Sequence, residues 1–137
     1  MDEKKKCKDL VRNEFRKEIR ALKHLWTTYC RDPEKYDEQE EAKLDEYGLW
    51  FDYHEPDENH KEGYFCYLIS TGGPSDEFRF FVNLDFSLYK VEYWYMDWFD
   101  GAKVEAQGKD FEFLDEFWDG YLREWADQKM KEATERR

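Results

Sequence analysis

Two histidines and several acids crowd the segment His54-Glu55-Pro56-Asp57-Glu58-Asn59-His60, and imidazole with carboxylate is a donor set for borderline divalent metals. The spacing matches neither the His-Glu-x-x-His of helical zinc sites nor a calcium-binding loop, so neither a metal nor another cofactor is expected there. His24 falls inside a helical pattern and reads as structural. Hydroxyl nucleophiles are offered by Ser70, Thr71 and Ser75. They flank Thr71-Gly72-Gly73-Pro74, however, which hairpin geometry explains in full, and there is no Gly-x-Ser-x-Gly elbow. The same turn lacks the lysine and the following helix of a phosphate-cradling loop.

A denser cluster is Asp76, Glu77, Arg79, Asp97 and Asp100. Asp97 and Asp100 stand among Trp94, Trp98 and Phe99, where an unpaired carboxylate would be costly to bury. A buried Arg79 paired with Asp97, Asp100 or Asp76 resolves that cost, and the expectation is a structural ion pair and no catalytic residue. The competing reading is a hydrolase working through the carboxylates around Asp97.

Acids also recur three and four residues apart, which on a helix sets negative charges about 5 to 6 Å apart. Such a surface can imitate the charge density of a nucleic-acid backbone, and Glu38, Glu41, Asp45, Asp57, Glu58, Asp115, Glu116 and Asp119 are the candidate partner contacts. Charge is unevenly spread. Residues 1–31 hold ten Lys and Arg against five Asp and Glu, residues 32–62 three against thirteen, and residues 63–137 nine against sixteen, for a net charge of -12. That balance argues against a surface that binds nucleic acid directly, which needs excess Lys and Arg. It favours a basic partner.

The elements that must position these groups follow from periodicity. Val11, Phe15, Ile19, Leu22, Leu25 or Trp26, and Tyr29 recur at steps of three and four, predicting an amphipathic helix from about residue 5 to 30. Asp32-Pro33 reads as an N-cap with proline at the first helical position, and Gly48 as a left-handed C-terminal cap, so a second, acidic helix is expected over 33–47. The basic first helix and the acidic second would then form an antiparallel αα-hairpin with opposite charges along its flanks.

LWFDY, YFCYLIS, EFRFFVN and LYKVEYWYMDWF are aromatic and β-branched runs separated by turn formers, and read as three or four antiparallel strands. Both faces of the sheet carry apolar residues near the middle, so helices should cover one face. Another element, or a second copy in a homodimer through the aromatic sheet face, would cover the other. Phe111, Leu114, Trp118, Tyr121 or Leu122, and Trp125 predict a long C-terminal helix from 110 to about 133, in which Gly120 marks a close crossing with the sheet. The expected fold is a single α+β domain over residues 1–137: two N-terminal helices, a sheet of three or four strands, and a long C-terminal helix.

Aromatic residues make up 20% of the chain, enough to build a core despite a charged fraction of 41%. No run of about 18 apolar residues occurs, and the start MDEKKKCKDL contains no hydrophobic segment, so neither a transmembrane helix nor a secretory signal is expected. Cys7, Cys30 and Cys66 match no zinc or redox spacing and read as reduced thiols, consistent with a cytoplasmic protein.

Glu46-Tyr47-Gly48-Leu49 with Phe51-Asp52-Tyr53, the run from Ser70 to Phe80 containing GGPSDEFRF, and the run from Tyr93 to Ala102 containing DWFDGA together resemble small acidic proteins of unassigned activity carried on conjugative plasmids and phages. The resemblance spans about residues 46–125 and implies a mobile-element origin. Such elements carry small acidic proteins that disable restriction and CRISPR systems, often by occupying a basic nucleic-acid groove. The resemblance and the charge together favour an anti-CRISPR or anti-restriction inhibitor, a binding module and not an enzyme. Its partner would be a basic host protein, and its mechanism DNA mimicry. The alternatives are an acidic interaction or accessory protein without mimicry and the Asp97 hydrolase.

Overall fold

The computed structural model describes residues 6–136; Lys4, Lys5 and the expected helix start at residue 5 lie outside them. Helix α1 spans Cys7–Arg31 and buries Cys7, Val11, Phe15, Ile19, Leu22 and Leu25, the stripe that the three-and-four spacing predicts. Its N-terminus is closed from outside the helix, where the Cys7 amide donates to the Asp100 carboxylate at 2.7 Å. That bond holds the Asp100 carboxyl below its usual range and places a negative charge at the positive end of the helix dipole.

The expected acidic helix over 33–47 does not form. The Asp32 amide instead ends α1 by donating to the Thr28 carbonyl at 3.0 Å, and the Asp32 carboxylate accepts from the Glu34 amide at 3.0 Å. Residues 33–43 are turns closed by a bridge between Asp37 and Ala42, with Glu41 in the left-handed region at φ 54°. Asp37 is buried, and its carboxylate accepts from the Thr28 hydroxyl at 2.7 Å and the Glu40 amide at 3.0 Å. These bonds hold its pKa down. An acid that bonds nearby backbone competes with the helical ladder, and the like charges of this segment repel at helical spacing. Only Leu44–Tyr47 is helical, as α2. The αα-hairpin fails with it. Gly48 is extended, at φ -80°, and is not a left-handed cap. It is needed for another reason: a Cβ there would stand 2.2 Å from the Tyr67 ring.

Five strands, one more than the largest number expected, form an antiparallel meander in the order β1 to β5: Trp50–His54, Tyr64–Ser70, Ser75–Val82, Leu88–Asp97 and Asp100–Glu105. The fifth lies beyond the LYKVEYWYMDWF run, the last of the expected strands. In the structure Asp97 pairs with Asp100, so the turn is Trp98-Phe99, and Ala102 and Val104 continue the alternation. The Thr71-to-Pro74 segment links β2 to β3 as the expected hairpin.

The C-terminal helix runs as α3 (Gly108–Phe117), a π turn (Trp118–Leu122) and α4 (Arg123–Glu135). Together with α1 it covers one face of the sheet. The core lies between them, with Phe65, Phe78, Phe80, Val91 and Tyr93 from the strands against Leu22, Leu25, Leu114, Phe117 and Trp118 from the helices. Trp118 is fully buried, its ring 5.3 Å from that of Phe65 and 5.4 Å from that of Phe80, and its indole N–H donates to the Phe86 carbonyl at 2.8 Å.

The π turn explains a departure from the expected stripe. Trp125 is half-exposed and Ala126 is buried in its place. An ordinary helix advances roughly 100° per residue, and the wider π turn takes in one extra residue, which rotates Trp125 out and Ala126 in.

Gly120, inside that turn, faces α1 and not the sheet, because a Cβ there would meet the Trp26 ring at 2.8 Å. Gly120→Ala should therefore destabilise the protein by about 1 to 3 kcal/mol through overpacking, although alanine in a helix interior is favoured over glycine by about 1 kcal/mol. Urea melts of the variant alone and in a Trp26→Ala background check this. The second background should remove the loss, and an undiminished loss there would refute the contact.

Candidate functional site

Strand parity decides where the clustered acids go. On β3 the side chains of Asp76, Phe78 and Phe80 face the helices, while Glu77, Arg79 and Phe81 face the open side; on β4, Val91, Tyr93 and Tyr95 face the helices and Glu92 and Trp94 the open side. Arg79 and Asp76 are therefore on opposite faces, and the expected pairing of Arg79 with Asp97, Asp100 or Asp76 is corrected. Arg79 is buried as expected, but its Nε donates to Glu77 at 2.7 Å. Its guanidinium is sandwiched between aromatic rings, 4.1 Å from the Trp94 centroid and 4.7 Å from that of Tyr64.

Neighbouring groups complete this open-face network. Glu92 pairs with Lys103 at 2.9 Å and accepts from the Trp94 indole at 3.1 Å. The Cys66 thiol lies beneath, its pKa pushed up by burial and then by the charge of Glu77. Charge pairs and rings thus close the middle of the open face. Asp76, on the other face, accepts from the hydroxyls of Tyr93 and Ser70. Asp100 caps α1, and Asp97 sits at the end of β4.

A second polar group under α1 was not anticipated from the sequence. The Tyr47 hydroxyl donates to Glu18, whose carboxyl is pushed upward by burial despite that bond. Glu18 occupies the edge of the α1 stripe, and nothing in its spacing marked it.

The eight candidate contact acids do not form one array, because the helix meant to carry three of them is absent. Glu38 and Glu41 are on the turns after α1, Asp45 is on α2, and Asp57 and Glu58 are in the β1–β2 loop. Glu116 approaches the end of α1, where the Cys30 thiol is raised by burial and then by the charge of Glu116. Asp115 and Asp119 leave the same helix near the β3–β4 turn: Arg123 binds Asp119 at 3.0 Å and donates to the Asp85 carbonyl at 2.7 Å. Asp115 is half-buried, its carboxyl raised by burial and by Asp119. Among the described residues Glu38, Glu41, Glu58 and Glu116 are exposed and make no ion pair.

A groove of about 230 Å³ lies between α2, β1 and α4, with Asp45 the one of these acids in its lining. Its walls include Leu49, Trp50 and Trp125, which are 58%, 51% and 51% exposed. Asp45 stands at its edge and accepts from the Tyr121 hydroxyl at 2.5 Å, and the charges of Asp45, Glu124 and Glu34 reach the adjoining Tyr29. Large exposed apolar side chains with a polar rim, here Asp45 and Lys129, are the composition of a protein-binding surface. The sequence did not mark this groove, since Trp50 and Trp125 looked like ordinary strand and core-stripe residues.

Fold and surface together define an α+β protein whose helix-backed antiparallel meander presents a groove walled by Trp50 and Trp125, with Asp45 and Lys129 in its lining. Comparison of the chain with protein-family models, curated proteins and solved structures finds no match. No helix among the described residues is long and apolar enough to cross a membrane.

Proposed function

We propose that the protein is an anti-defence inhibitor, a binding protein that covers a basic nucleic-acid-binding surface of a CRISPR or restriction component in the cytoplasm of a host bacterium. The observation that carries this reading is the groove of Leu49, Trp50 and Trp125 with Asp45 in its lining, together with the exposed acids Glu38, Glu41 and Glu116, which make no ion pair among the described residues. Exposed tryptophans supply short-range apolar contact, where interface energy concentrates. The acids supply long-range attraction to a basic partner and weaken as salt screens them. Mimicry here is a matter of charge density around an apolar anchor, since the acids are spread over turns and do not line one helix.

Lysine replacement of Glu38, Glu41, Asp45 and Glu116 together should abolish protection in a phage-challenge assay run in a restriction- or CRISPR-proficient host. The Glu38, Glu41 and Glu116 substitutions should each shift stability by no more than about 0.5 kcal/mol, and Asp45→Lys, which gives up the Tyr121 hydroxyl bond, by about 0.5 to 1.5 kcal/mol. Plaquing counts and thermal melts of the same variant are the measurements. Undiminished protection by a folded quadruple variant would sink the electrostatic reading.

A further inference from the structure

We propose that His54, Asp57 and His60 form a binding site for a transition-series divalent cation of the zinc type, independent of the inhibitor reading. The sequence spacing gave no reason to expect one; the fold assembles it. β1 ends at His54, and the Asp57 carboxylate folds the following loop back by accepting from the Asn59 amide at 2.8 Å and the His60 amide at 2.7 Å. His60 is thereby returned to the side of His54, the two ring centroids 5.1 Å apart.

The resulting donor geometry is close to a coordination sphere. His54 Nε2 is 3.5 Å from Asp57 Oδ2, His60 Nδ1 is 3.2 Å from Asp57 Oδ1, and one donor atom from each of the three residues lies within 4.8 Å of the others. Tetrahedral zinc with bonds of about 2.0 to 2.2 Å separates its ligand atoms by roughly 3.3 to 3.6 Å, so binding requires only small side-chain shifts.

His54 is held for this role. Its ring stacks on Tyr64 at 4.8 Å and 5°, and Arg79 packs over that Tyr64 ring at 4.7 Å. His54 Nδ1 is a buried atom without a hydrogen-bond partner among the described residues, which leaves Nε2, directed at Asp57, as the nitrogen open to a ligand. The three side chains are 35% to 45% exposed, so a cation reaches them from solvent. Two imidazoles and one carboxylate favour zinc, cobalt, nickel or copper over calcium or magnesium, which prefer all-oxygen shells. Three protein ligands leave a fourth position for water or a partner's side chain.

Calorimetric titration of the full chain with Zn2+, in a Cys30→Ser background that removes the exposed thiol, tests the site. One Zn2+ per chain should bind and should not be displaced by millimolar Ca2+ or Mg2+. Co2+ should give visible ligand-field bands without a thiolate charge-transfer band. His60→Ala should weaken Zn2+ binding by more than the roughly 10- to 100-fold lost on removing a second-shell partner. His54→Ala should do the same; should loss of its stacking unfold that variant, His60→Ala decides, with circular dichroism confirming its fold. Failure to bind Zn2+, loss of binding on Cys30→Ser alone, or equal affinity in a folded His60→Ala variant would overturn the proposal.

Discussion

Deleting residues 1–31 should yield a chain that no longer melts cooperatively. Val11, Phe15, Ile19, Leu22 and Leu25 are each at most 6% exposed, and at about 1.5 to 3 kcal/mol apiece their burial contributes roughly 8 to 15 kcal/mol, as much as the whole stability of an ordinary domain. The deletion also uncovers the strand residues beneath. Phe15 packs on Tyr93 at a ring separation of 5.6 Å and on Phe78 at 6.3 Å, so both rings would meet water. Near-ultraviolet circular dichroism and calorimetry read the outcome. A truncated chain that keeps a cooperative transition would make the helix an appendage, and its lysines and arginines would then be free to contact nucleic acid already held by the target.

Arg79→Ala should cost about 3 to 5 kcal/mol, the range for removing one partner of a buried pair. Arg79 is 8% exposed and its partner Glu77 9%. The substitution leaves the Glu77 carboxylate in a site already crowded by Glu92, and also removes the cation between Trp94 and Tyr64. Arg79→Lys should recover only part, because an ammonium cannot reproduce the planar stacking of a guanidinium. Adding Glu77→Gln to Arg79→Ala should restore stability, since the stranded charge is then gone. Chemical denaturation of the four proteins gives the cycle. Additive losses in the double variant would show that the two side chains do not depend on each other.

How much of this was legible in the sequence follows the range of the forces involved. The α1 stripe could be read because burial at helical spacing is a local pattern. Four strand runs could be read because aromatic and β-branched residues cluster between turn formers. β5 was missed because Gly101, Lys103 and Glu105 dilute its alternation and because the β4–β5 turn is made of Trp98 and Phe99, 85% and 105% exposed, which do not look like turn residues. The helix over 33–47 was expected because Asp32-Pro33 is a strong start signal, yet the Asp37 carboxylate found better partners in the Thr28 hydroxyl and the Glu40 amide.

The partner of Arg79 was misjudged for a different reason. Proximity of type in a sequence carries no face, and only the pairing of β3 with β4 shows that Asp76 and Arg79 look in opposite directions. The donors of the His54 loop were visible as residues but not as a site, because their convergence depends on how Asp57 folds the loop.

The π turn at Trp118–Leu122 sets the phase of everything that follows it. Upstream the inward positions are fixed by Leu114, Phe117 and Trp118, and downstream by Ala126 and Ala133, and the two sets meet only because one extra residue is taken up between them. Were these same residues wound as an ordinary α-helix throughout, the later side chains would fall out of step, with Trp125 turned toward the sheet and the wall it gives the groove gone. The groove is in this sense held by a local winding as much as by its own residues. A lineage that lost one residue here could straighten the turn into an α-helix and keep the groove, because the turn is where the extra residue is stored.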